Sequence, residues 1–259
     1  MVGARATASL ALALVLLPVW RPADALSGGA ATAPPPPAAS AAAAKAELLR
    51  ACALCDRGFS ATPATRTRVR ALIDRLAGLA DCADATAGLD GEAADGRARP
   101  IVGLWQLAYT DAADLAVLSL NPLTIVGAIY QDIRRPPTVI NCIELSPRAL
   151  GAAGPALDTR ARLEVTTRAV RRSPTRAGLS FLKVGGRALT LLGAPLPPAL
   201  APPPLDLPFP FGRGAPADAA AEAGGAFFDV LFVDEEVLVI RQGAPGGCFV
   251  SVRVDDFGA

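Results

Sequence analysis

The sequence predicts a mainly β protein, an antiparallel barrel preceded by a helical hairpin. Two observations predict it. Between Lys45 and Leu79 apolar residues recur at helical spacing, whereas from Pro100 onward short apolar runs are punctuated by Gly, Pro and Asn. About eight such runs follow one another with little helix between them, which suits sequential antiparallel pairing better than a doubly wound sheet.

Taken in order, the chain opens with Arg5 and an apolar run from Ala8 to Trp20, and Ala23-Asp24-Ala25 then offers a small-x-small cleavage site. Residues 1–25 therefore read as a signal peptide. Residues 26–44 carry no charge and hold Pro34 to Pro37 in series, the composition of a disordered, transit-like segment. The pair resembles the bipartite leader of algae whose plastid lies inside extra membranes, with the arginine usual in transit peptides missing. Ordinary secretion is the alternative.

A first helix is expected over Lys45–Arg57, with Leu48, Leu49, Cys52 and Cys55 on one stripe and Gly58 as its stop. Thr62 followed by Pro63 starts a second, whose stripe is Val69, Leu72, Ile73, Leu76 and Leu79. Residues 80–99 form a connection. Strands are expected at Val102–Thr110, Thr124–Ile133, Thr138–Leu145, Arg160–Arg171, Leu179–Val184, Phe227–Val233, Val237–Gln242 and Cys248–Val254. Residues 193–225, rich in Pro and Ala, read as a long loop, and the whole domain is placed at 45–256.

Composition excludes much. With no histidine in the chain, Ser-His-Asp and Cys-His nucleophile systems and His-containing zinc sites are ruled out. A net charge of +1 gives nucleic-acid binding no electrostatic support. Charge is nonetheless segregated: residues 45–79 sum to +4, residues 145–187 to +7 and residues 206–259 to −6. The basic zones suit anionic lipid head groups or pairing across neighbouring strands. Neither a metal pattern, a phosphate loop nor an esterase motif occurs, so no cofactor is expected.

Several blocks resemble the plastid lipid-associated proteins, or fibrillins. They are Ala46-Glu-Leu-Leu-Arg50 with Asp56-Arg57-Gly58, then Gly103-Leu-Trp-Gln-Leu-Ala-Tyr-Thr110, then Val126-Gly-Ala-Ile-Tyr-Gln131 with Asn141, and finally Phe228-Asp-Val-Leu-Phe-Val-Asp-Glu-Glu236 with Ile240-Arg241 and Phe249-Val250. The resemblance implies a lipocalin-like barrel in the plastid that binds lipids or small hydrophobic metabolites, at thylakoids or lipid bodies, as a peripheral protein and not an enzyme.

Candidate ligand-binding residues are Trp105, Tyr109, Gln131 and Asn141. Gly-x-Trp on the first strand lets Trp105 plug the barrel floor, with Arg241 or Arg253 stacked on the indole, or else Trp105 is a plain core residue. Phe181, Phe227, Phe228, Phe232 and Phe249 would add interior bulk. Gln131 and Asn141 are polar within apolar runs, as hydrogen-bond anchors in a lipophile pocket or as a strand pair. Asp234 and Arg241 are expected to form an ion pair locking the last strands, while Cys52-x-x-Cys55 reads as two buried, inert thiols. Two rivals stay open: an enzyme acting on an isoprenoid or fatty acid through Asp234 or Tyr109, and a lipid-droplet coat with no pocket.

Overall fold

A computed structural model describes residues 40–79, 83–91, 99–151, 157–197, 205–208, 226–243 and 246–258. Residues 1–39, with the leader expected there, lie outside it. Two helices come first, α1 (Ala41–Ala53) and α2 (Pro63–Leu79). The Ser40 hydroxyl accepts from Ala43 N and starts α1 at Ala41, so the uncharged stretch placed as disordered up to residue 44 gives its last four alanines to the helix. Thr62 caps α2 as expected, its Oγ1 accepting from Thr65 N at 3.2 Å.

The remainder is β1 (Leu104–Thr110), α3 (Ala113–Ser119), β2 (Thr124–Arg135), β3 (Thr138–Pro147), α4 (Arg148–Gly151), β4 (Arg160–Arg171), β5 (Arg176–Leu191), β6 (Ala194–Pro195), β7 (Leu205–Pro208), β8 (Phe227–Val233), β9 (Val237–Gln242) and β10 (Cys248–Val254). Eight of these strands pair antiparallel in the order β1-β2-β3-β4-β5-β8-β9-β10, and β10 returns to β1. The barrel is closed. All eight correspond to expected strands. Within the stretch read as a proline loop, β6 and β7 add short pairings to β5, whose own span runs beyond the expected Val184.

The helices cover the outside of β1 and β8–β10, where Leu48, Cys52, Val69, Ile73 and Leu76 meet Tyr109, Phe232, Val237, Val239 and Val250 in one buried cluster. Two bulges set which residues face them. Between Leu107 and Tyr109 on β1, and between Val230 and Phe232 on β8, one extra residue shifts the register. Because side chains alternate along a strand, each bulge turns the next aromatic from the interior to the helix side.

Candidate functional site

The floor of the barrel is built around Trp105, which is fully buried with Ala85, Leu89, Ile101 and Ile133. Its Nε1 donates to the Ile101 carbonyl at 2.9 Å, and the Arg253 guanidinium lies 4.4 Å from the ring centroid. Of the two arginines expected there, Arg253 is the one that stacks. It is fixed by donating to the Glu235 carbonyl at 2.6 Å and the Val102 carbonyl at 2.8 Å. A Cβ at position 103 would stand 2.1 Å from Arg253 Nη1, so the Gly of Gly-x-Trp is the space through which the arginine reaches the indole.

Above this floor lies a cavity of about 210 Å³. Its wall is mainly apolar, from Leu107, Ile129, Ile143, Val165 and Ile240, with Phe181, Phe227, Phe228 and Phe249. Polar groups are few. Gln131 and Asn141 face each other across β2 and β3, and Gln131 Nε2 donates to Asn141 Oδ1 at 3.2 Å. That bond uses one nitrogen and one oxygen and leaves the Gln131 carbonyl and the Asn141 amide for a ligand. Gln131 also stands directly opposite Trp105 in the register and Asn141 directly opposite Gln131, so the polar pair continues the floor residue's own row across the sheet.

Ser251 and Gln242 add two further polar side chains, and Asp114 and Leu115 of α3 stand at the rim opposite the floor. α3 lies where no element was expected, and none of these four residues was among the expected site residues. Leu115 and Leu118, three apart between two strands, were the available signal.

Trp105 and Tyr109 do not line the cavity. Trp105 is its foundation. Tyr109 is turned outward by the β1 bulge into the helix interface, where its hydroxyl is buried without a hydrogen-bond partner. Burial, then the nearby Asp111 carboxylate, push that hydroxyl up to about 12. Phe232, expected inside, faces the helices for the same reason.

Asp234 and Arg241 are not brought together. Asp234 lies in the β8–β9 turn, accepts from Glu236 N and Val237 N at 2.8 Å each, and pairs with Lys45 of α1 at 2.7 Å. Arg241 sits at the other end of β9 and pairs with Asp74 of α2 at 3.1 Å. Burial raises the Asp234 pKa, but Lys45 and the two turn amides outweigh it and hold the carboxyl below its usual value. Cys52 and Cys55 are buried, with Cys55 Sγ donating to the Cys52 carbonyl at 3.1 Å, and burial pushes the Cys52 thiol up to about 12. Neither thiol is set up as a nucleophile.

A second hollow of about 300 Å³ lies outside the barrel, between α2 and the β9–β10 turn. Its arginines, Arg70 and Arg241, are already held by Asp111 and Asp74, which leaves no exposed charge excess to recruit a ligand. The barrel interior is therefore the candidate site.

Comparison with known proteins bears on the same region. No curated protein matches the chain. The PAP_fibrillin family model matches residues 42–184, from α1 through the polar pair of β2 and β3 into β5. With more than half of the chain covered, and with Trp105, the polar pair and the helical start all inside the match, the chain belongs to the PAP/fibrillin family of plastid lipid-associated proteins.

Proposed function

We propose that this protein is a non-enzymatic lipid binder of the plastid, holding a small lipophile, or the ring or chain end of a larger one, in the barrel, and so stabilising thylakoids or plastid lipid bodies. One observation carries the reading: an apolar cavity inside the barrel holds the hydrogen-bonded pair Gln131 and Asn141 in its wall. Few polar groups in an apolar pocket fix a ligand's orientation while apolar burial supplies affinity.

Size limits the occupant. A cavity of about 150 Å³ takes benzene, so one of about 210 Å³ takes a bicyclic ring or a short chain end. A whole carotenoid or prenylquinone does not fit. Its remainder would leave through the mouth. The enzyme alternative loses support from the same geometry, since Asp234 and Tyr109, its proposed acid–base groups, both lie outside the cavity.

Titration with 2-naphthol, a ring lipophile with one hydroxyl, tests the reading through the ligand's own fluorescence. Saturable binding is expected, weakened about three- to tenfold by Asn141→Leu or Gln131→Leu, the worth of one net hydrogen bond. Uptake that never saturates and ignores both substitutions would contradict it and favour a coat without a pocket.

A further inference from the structure

Exposed apolar side chains are not spread evenly over the described surface. Of the ten large ones, Val117, Leu120, Leu123 and Ile125 follow one another along α3 and the turn into β2, and Leu191 and Leu192 stand where β5 ends. All six are at the mouth end. Thr124 pairs with Pro147 at the end of β3, and Leu192 N donates to Thr159 Oγ1, just before β4 begins. Leu120 and Leu123 are 78% and 71% exposed, an unfavourable placement in water that a lipid surface would reverse.

Among the described residues, two cations at this end have no carboxylate partner, against one carboxylate, Asp114 of α3, that has no cation. Arg148 Nη2 donates only to the Asn121 and Thr124 carbonyls, at 3.4 and 3.2 Å, so it braces the apolar turn and has no carboxylate partner among the described residues. Arg66 likewise donates to the Ala61 and Gly58 carbonyls, beside the end of β1. Meanwhile α3 is shared between the two surfaces, since Asp114 and Leu115 line the cavity and Val117 is turned out.

From this arrangement we infer that the barrel docks mouth first on a lipid surface bearing anionic head groups, with Leu120 and Leu123 inserted among the acyl chains and Arg66 and Arg148 at the head-group level. The inference rests on the lipid-binding reading above and adds its geometry. The cavity opens toward the lipid, so a long lipophile can keep its tail in the lipid phase while its end occupies the barrel. No water crossing is needed for exchange.

Leu123→Trp and Leu79→Trp in the full chain test the orientation, Leu79 being exposed at the far end of α2. Each is mixed with vesicles of brominated phosphatidylcholine, with and without phosphatidylglycerol, and the added emission is compared with that of the unsubstituted protein. The expected result is quenching of Trp emission added at 123, dependent on phosphatidylglycerol and reduced severalfold by Arg148→Glu, with emission added at 79 unaffected. Equal quenching at both positions, or none at 123, overturns the inference. A 2-naphthol titration of the same proteins separates the two readings: saturable binding without quenching at 123 rejects the docking face alone, and quenching at 123 without saturable binding rejects the cavity reading alone.

Discussion

At the scale of single residues, Trp105 and Tyr109 show how two aromatics four positions apart on one strand come to do different things. Trp105 carries a donor satisfied by Ile101 and a face covered by Arg253, so truncation leaves a hole, an orphaned carbonyl and an unstacked guanidinium together. Trp105→Ala is expected to cost about 3–5 kcal/mol in a denaturant melt; a loss under about 1 kcal/mol would place the residue outside the floor. Tyr109 buries a hydroxyl with no partner. Its removal in Tyr109→Phe should leave stability unchanged or raise it by about 1 kcal/mol. A clear loss in the same melt would show that the hydroxyl has a partner in solution. The sequence made Trp105, Gln131 and Asn141 legible because polarity and alternation mark them. Nothing in the run Leu107-Ala-Tyr109 marks a bulge, so the outward turn of Tyr109 was not legible.

Among elements, the joint between α1 and the β8–β9 turn is the least expected feature. Asp234 and Arg241 stand in one hairpin, and proximity along the chain made them natural partners. β9, however, advances about 3.3 Å per residue, which carries Arg241 to the mouth side while Asp234 stays at the floor end beside Lys45. Long-range partners of this kind depend on how the helices lie on the barrel, which local pattern does not encode. Because the folded Asp234 pKa is depressed, its contribution is present above the unfolded value of about 3.9 and is lost as pH falls through the folded one. Asp234→Asn keeps an oxygen for the turn amides and removes the charge, so it should cost about 1 kcal/mol at neutral pH. Chemical melts of variant and parent should converge as pH falls below the folded carboxyl's depressed pKa, and a gap that persisted in acid would mean the ion pair is not its source.

Over the whole molecule, the eight barrel strands, their order and the helical start were legible because periodicity and punctuation report them directly, whereas β6 and β7 were hidden in a proline-rich stretch. The cavity's volume was not legible. Ala-rich strands can close a barrel or leave it hollow, and only the packing of Phe181, Phe227, Phe228 and Phe249 around Gln131 and Asn141 decides between them. If a lipophile occupies this hollow in the plastid, native mass spectrometry of the protein isolated from its own organelle detects it, with the bound material then extracted into organic solvent and identified. The expected result is a one-to-one adduct of a reproducible lipophile with a single polar end, depleted in Asn141→Leu. Recovery of the bare chain alone, or of mixed lipid in no fixed ratio that is unchanged by the substitution, would contradict it.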